Sequence, residues 1–382
     1  MQKIRILHII KSLGRGGAEM LLPETLKLHD KDQFDFHYIY FLPWKNQMVE
    51  AIENAGGRVT CLSASNNIKL IQRYSTVIEY CKKNEINLIH CHLPWSGFLG
   101  RIIHAKTKIP VVYTEHNIQE RYHFATKWLN NLSFNSQSLA LGVSTDVSRS
   151  ILENIQPKIP VTTLLNGVNT LHFQKDLEKG FTIRKQLGIP EDALVIGNIA
   201  VFRSQKSLPD WVKAFKKVHN THPEIYGILV GAGPQEEEIK QLVLENELQD
   251  RVILPGLQTD TVAYFSAMDI FMMSSAFEGL PIALLEAMSS GCAIVSTKAG
   301  GVVEAIRGEI DGLLCEVGDW NCLAEKSMFL IENPTNRTKF QKASRDRVID
   351  SFSLSGMVEK LEGVYLNVFN NQHRAVYTKD HI

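Results

Sequence analysis

The chain has 382 residues, enough for two domains of ordinary size. Apolar residues make up 44% and charged residues 21%, the balance of a globular protein rather than a disordered or fibrous one. Lysine plus arginine and aspartate plus glutamate both number 41, so the net charge is zero and no nucleic-acid partner is expected. The charge is unevenly spread, however. Residues 1–190 hold 23 basic against 15 acidic side chains, and the remainder holds 18 against 26. A basic first half suits an anionic acceptor or an anionic membrane surface. No stretch approaches the ~20 apolar residues of a membrane span. The six cysteines form no C-x-x-C pair, so neither a zinc site nor a disulfide framework is expected, and a reducing cytoplasm is the simplest setting.

The first element, Ile4–Ile10, is a short apolar run leading into glycines, which reads as a buried strand rather than a secretory signal. Gly14-Arg-Gly16-Gly17-Ala-Glu19 follows it and opens a helix. Small residues there let backbone approach a ligand, and a helix start favours an anion, although the spacing is not that of a dinucleotide fingerprint. Strands are predicted at Phe36–Phe41, Leu88–Cys91 and Val111–Thr114. His90 and His92 fall on one face of their strand with no third ligand in view, so no metal is expected. Thr114-Glu115-His116-Asn117 ends the next strand, and Asn166-Gly-Val-Asn169 carries a turn signal. The polar stretch His172–Lys185 reads as the linker.

In the second half, strands are predicted at Val195–Ala200, Tyr226–Val230, Val252–Leu254, Ile270–Met273 and Ala293–Ser296. Val201-Phe-Arg203-Ser-Gln-Lys206 follows the first of these, and Gly231-Ala-Gly233-Pro234 follows the second. Glu278-Gly279-Leu-Pro281-Ile282-Ala283-Leu-Leu-Glu286 places two carboxylates on either side of a helix start. Pro281 suits the first helical position and Gly291 the stop. The amides of Ile282 and Ala283 then form an anion site flanked by carboxylates, which fits a ligand with hydroxyls on both sides of a phosphate, such as a nucleotide sugar. An amphipathic core helix with a solvated glutamate at each end is the plainer reading of the same letters. A helix is expected over Phe352–Asn371, and residues 373–382 read as a polar tail. Strands alternating with helices throughout imply parallel sheets wound on both faces.

The segment from Glu278 to Glu286 resembles the E-x7-E motif of family 4 retaining glycosyltransferases, and the resemblance covers nearly the whole chain. Gly16-Gly17-Ala-Glu19 resembles that family's G-G-A-E loop, and Thr114-Glu115-His116 its T-E-H segment. Val143–Asp146, Val252–Gly256, the G-x-G-P turn, Lys298–Gly301 and Glu304 resemble further family segments. The resemblance implies the α/β GT-B fold, two Rossmann-like domains facing across a cleft. Residues 1–175 with a crossover helix at 352–371 would form the acceptor side, and 186–351 the nucleotide-sugar domain, with closure between them. It further implies Glu278 at the reacting centre, Glu286 on the ribose hydroxyls, and His116 on a sugar hydroxyl. Lys206 and Arg203 would neutralise the diphosphate in place of a divalent metal. Gly16, Gly17, Gly279, Ile282, Ala283 and Asn166 would complete the donor site. Two departures stand out: Asn169 replaces the usual aspartate, and Val201 stands where the usual arginine precedes the lysine.

The expected activity is therefore transfer of a sugar from a UDP- or GDP-sugar, without cofactor, to a glycan or lipid-linked acceptor of bacterial polysaccharide or lipopolysaccharide synthesis. Reaction on one face of the sugar is implied, with the leaving phosphate helping to deprotonate the acceptor. A cytoplasmic protein at the inner face of the plasma membrane fits that role. The rival readings are an inactive partner subunit, a nucleotide-sugar epimerase or hydrolase of similar fold, and, least favoured, an NAD-dependent dehydrogenase.

Overall fold

The computed structural model describes residues 3–377, and these form two compact units. The first runs to Leu165 and resumes at Ser355; the second is Asn166–Leu354. The division thus falls earlier than the expected boundary near 175. The stretch read as a linker instead holds a helix, Leu177–Gln186, capped by the Asp176 carboxylate on the Lys179 amide and packed on the helix Thr261–Ala267.

The first unit is built on a seven-stranded parallel sheet: β1 Ile4–Ile9, β2 Phe34–Tyr40, β3 Arg58–Cys61, β4 Leu88–His92, β5 Val111–Glu115, β6 Leu139–Gly142 and β7 Val161–Thr163. Their order is β3-β2-β1-β4-β5-β6-β7. Such strands are covered on both faces, which is why β4, β5 and β6 bury every side chain. Ile4, Ile6 and Ile10 face one core, and Leu7 and Ile9 face the other. The last helix, Leu354–Tyr377, adds Leu361, Tyr365 and Val368 to the first of these cores. It continues into the stretch read as a tail, of which 378–382 lies outside the described residues.

The second unit has six parallel strands: β8 Val195–Ile199, β9 Tyr226–Val230, β10 Val252–Gly256, β11 Ile270–Met273, β12 Ala293–Thr297 and β13 Leu313–Cys315. Their order is β10-β9-β8-β11-β12-β13. In each unit the winding reverses once, between β1 and β4 and between β8 and β11. A crevice opens beyond the carboxyl ends of the strands at such a reversal.

The expectation of no disulfide is corrected by a bond between Cys315, at the end of β13, and Cys322, in the helix Trp320–Glu332. Their Cα atoms lie 5.8 Å apart. The helix is capped by Asp319 and doubles back beside the strand it follows, so a pairing arises that no spacing rule marks.

Candidate active site

At the reversal in the second unit, two loops are laced together. The loop after β8 tightens into a short 3-10 turn, Ser204–Lys206, and the loop after β11 leads to the helix Ile282–Ser289. Ser274 Oγ donates to the carbonyls of Lys206 and Ser207 at 3.0 and 2.9 Å, and the Ala276 amide donates to Gln205 at 2.8 Å. The Gln205 side chain bonds the Phe277 carbonyl. Glycines do part of this shaping. A Cβ on Gly231 would lie 1.9 Å from the Ala200 carbonyl oxygen, and one on Gly233 would meet the Phe202 backbone at 2.5 Å. The G-x-G-P turn is therefore glycine-rich because it presses on the loop that bears Arg203 and Lys206.

Those contacts hold the Glu278 carboxylate, 6% exposed, in a dense set of donors. Lys206 Nζ donates to it at 2.6 Å and Ser275 Oγ at 2.6 Å, with Gln205 Nε2 at 3.4 Å. Its backbone is fixed from the other side, where a Cβ on Gly300 (φ +55°) would lie 2.1 Å from the Glu278 carbonyl oxygen. Arg203 lies exposed on the same loop as Lys206.

The helix that follows begins at Ile282, with Pro281 just before it rather than at its first position. No side chain caps it among the described residues, and no acid occupies its first turn. The Ile282 and Ala283 amides thus keep the positive end of the helix dipole open to an anion. Asn166 donates to the carbonyl of Leu280 at 3.0 Å, so it holds the approach to this helix start. Glu286 is buried in the second turn. Gly291 (φ +71°) closes the helix, with the Cys292 amide reaching back to Ala287 and that of Gly291 to Met288.

The first unit offers a second set of groups at its own reversal. Gly16, which has no side chain to offer, is the N-cap of the helix Gly17–Leu28, and Glu19 curls back over it. His116, after β5, has a buried Nε2 with no hydrogen-bond partner, and burial pushes its pKa down to about 4. It is a neutral imidazole waiting for a hydrogen bond. Glu115 behind it accepts from the His116 and Asn117 amides at 2.9 and 3.2 Å, from Tyr113 at 2.7 Å and from Gln119 at 2.8 Å. Burial raises the Glu115 pKa, and these donors oppose that rise.

Next to His116 lies a histidine cluster that the sequence reading missed. Parallel pairing of β1 with β4 sets His8 beside His90, so His8 supplies the third imidazole that His90 and His92 lacked. Ligating nitrogens of the three lie within 4.8 Å of one another, a spacing that could hold a metal ion. Hydrogen bonds already occupy much of that capacity. His8 Nδ1 meets His92 Nε2 at 3.0 Å, and His90 spends one nitrogen on Tyr365 and the other on Thr114, both at 2.7 Å. Burial, reinforced by neighbouring histidines, keeps all three neutral, His90 down to about 3.

One Asp-x-Asp occurs in the chain, Asp30-Lys31-Asp32. It lies in the turn before β2, where the Asp30 carboxylate accepts from the amides of Asp32 and Gln33.

Two family profiles match the chain. "Glycosyltransferase Family 4" covers residues 15–171, and "Glycosyl transferases group 1" covers 180–347. Among similar proteins, N-acetyl-alpha-D-glucosaminyl L-malate synthase of Bacillus anthracis is 26% identical over 78% of this chain and 79% of its own length. The UDP-Gal:alpha-D-GlcNAc-diphosphoundecaprenol alpha-1,3-galactosyltransferase of Escherichia coli is 23% identical over 97% and 98%. In structure, HepE of Anabaena in complex with UDP-glucose superimposes with a TM-score of 0.85 at 20% identity, covering 95% of this chain and 99% of that one. That likeness establishes the shared two-domain fold.

Proposed function

The chain belongs to the family 4 glycosyltransferases, and from that membership we propose that it transfers a sugar, with retention, from a nucleotide-sugar donor to a glycan or lipid-linked acceptor. The observation that carries the reading is the arrangement around Glu278, a buried carboxylate bonded to a lysine and placed four residues before an open helix start. A departing nucleoside diphosphate gains charge as the glycosidic bond breaks. The Ile282 and Ala283 amides, Lys206 and Arg203 are the groups that would stabilise it. Lys206 would exchange its bond to Glu278 for one to the diphosphate, freeing Glu278 to meet the sugar. Glu286 would take the ribose hydroxyls, and His116, neutral and one hydrogen bond short, a sugar hydroxyl. Only one carboxylate is assigned to the reacting centre, which favours same-face reaction with the leaving phosphate as base over a double displacement needing two.

The cations and amides supply what a divalent ion would supply, so transfer is expected to persist in excess EDTA. The name of the Escherichia coli relative, a UDP-Gal-using galactosyltransferase acting on a diphosphoundecaprenol, supports a donor of the UDP-sugar type and a lipid-linked acceptor, while that of the Bacillus anthracis relative, an N-acetyl-alpha-D-glucosaminyl L-malate synthase, leaves room for a small-molecule acceptor. Thermal-shift measurement with UDP, GDP, ADP, CMP and NAD in the presence of EDTA tests the reading. Stabilisation by a sugar-type nucleoside diphosphate is expected; a shift with NAD alone would overturn it.

A further inference from the structure

Two charges lie buried in the first unit without touching. Arg101, in the helix Pro94–Thr107, is 1% exposed and sits over the Tyr113 and Phe134 rings. Its guanidinium donates to Gln137, Asn130 and Ser133, each at 2.9 Å, and none of these is an acid. Glu115 is fully buried, and its carboxylate accepts from Tyr113, Tyr122, Gln119 and two backbone amides, none of them a cation. A buried charge left without a counter-charge is costly. Here two amides join the pair. Arg101 Nη1 donates to Asn130 Oδ1 at 2.9 Å, Asn130 Nδ2 to Gln119 Oε1 at 2.9 Å, and Gln119 Nε2 to Glu115 Oε2 at 2.8 Å.

This relay can point only one way. A guanidinium has donors only and a carboxylate acceptors only, so each amide must turn its oxygen toward Arg101 and its nitrogen toward Glu115. Bonds aligned in this sense polarise one another. The fold gives up apolar burial to build the chain. A surface helix ordinarily turns its apolar stripe inward, yet the helix Phe124–Ser133 turns Asn130 inward and leaves Phe124, Trp128 and Leu132 exposed. The far end of the relay meets the candidate site. Glu115 Oε1 accepts from the His116 and Asn117 amides at 2.9 and 3.2 Å, which pins the turn out of β5 that bears the His116 imidazole. An ionised acceptor grips those amides more strongly than a neutral one. We infer that Arg101, acting through Asn130, Gln119 and Glu115, is a positioning residue that aims His116 at the donor sugar. The inference rests on the proposed function, which gives His116 a sugar hydroxyl, and adds to it the distant charge that keeps the imidazole in place.

Transfer kinetics with isothermal titration of UDP test the inference. R101M is expected to lower kcat about 10- to 100-fold, the order of loss that an ångström of misplacement causes, while UDP affinity stays within about threefold because UDP carries no sugar. R101K keeps the charge and should recover most of that loss. In the E115Q background no charge is left to compensate, so R101M should have little further effect. The same cycle read by urea midpoint needs no turnover. Each single variant should lower the midpoint, and the double variant should regain part of it. Q119M cuts the relay with both charges in place and serves if R101M does not fold; it should show the same kcat loss with UDP binding retained. Losses that multiply in the cycle would overturn the inference, as would native kcat in R101M or Q119M, or UDP binding that falls in step with kcat. A native protein that transfers no sugar would count against the proposed function instead, and the urea cycle would still decide whether Arg101 and Glu115 are coupled.

Discussion

At the residue scale, the decisive contact is Lys206 on Glu278 at 2.6 Å, which joins two groups with opposite needs. Glu278→Ala is expected to lower kcat by about 10³-fold while changing the UDP dissociation constant only a few-fold, because the carboxylate is assigned to the reacting sugar. Lys206→Ala should cost about 10²–10³ in kcat and also weaken UDP binding, because the lysine is assigned to the diphosphate. Kinetics with isothermal titration on both variants separate these patterns; equal loss of binding in the two would undo the division of roles. His116 bears on the pH profile. With its pKa held near 4 by burial, it stays neutral through the working range and should contribute no acidic limb to kcat/KM between about pH 5 and 7. These residues were legible in the sequence because each lies in a contiguous motif. His8 was not, because it stands 82 residues from His90 and only the β1–β4 pairing brings them together. Cys315 and Cys322 were missed for a similar reason, since the turn of chain that joins them is set by tertiary packing.

At the scale of elements, the sequence marked buried strands well and edge strands poorly. Tyr226–Val230 and Ile270–Met273 were read to the residue, each being an apolar run inside its sheet. β3, β7 and β13 were not read, because they are only three or four residues long and lie at sheet edges. The interior strand β6, only four residues long, was not read either. The helix Phe124–Ser133 defeats periodicity in another way. Its apolar positions point away from the unit, so pattern alone assigns the wrong face to the interior. Tight loop contacts give an element-scale prediction. Gly300→Ala would force a Cβ to within 2.1 Å of the Glu278 carbonyl oxygen in a left-handed conformation. It should destabilise the second unit by about 1–3 kcal/mol and reduce transfer with it. Urea denaturation alongside activity would show this, and an unchanged midpoint would mean the loop gives way freely.

At the scale of the whole molecule, the fully buried histidines concentrate in the first unit. His8, His29, His90, His92 and His116 all belong to the first unit, and burial lowers the pKa of each, His29 in spite of Glu362 at 2.9 Å. A depressed histidine pKa means the unfolded chain binds protons that the folded unit refuses. The associated stability is fully present above the unfolded value near 6.5 and is lost as pH falls below it, by about 1.4 kcal/mol per pH unit for each group that titrates only on unfolding. The first unit should therefore melt at markedly lower temperature at pH 5 than at pH 7.5, which calorimetry with and without UDP can assign. The Cys315–Cys322 bond acts on the second unit alone. Reducing it should lower that unit's stability by at most about 2–3 kcal/mol, since it closes a short loop.

Tyr365, whose hydroxyl lies 2.7 Å from His90, also fixes when the protein can be finished. Domains usually fold in the order in which the ribosome releases them. Here the first unit waits for the last helix, Leu354–Tyr377, while the second unit is complete as soon as Leu354 emerges. During synthesis the first sheet therefore stands with part of one apolar face uncovered for the time it takes to make the whole second unit. A nascent chain truncated before Ser355 should be a target for chaperones and proteases, with its second unit already folded and its first still open.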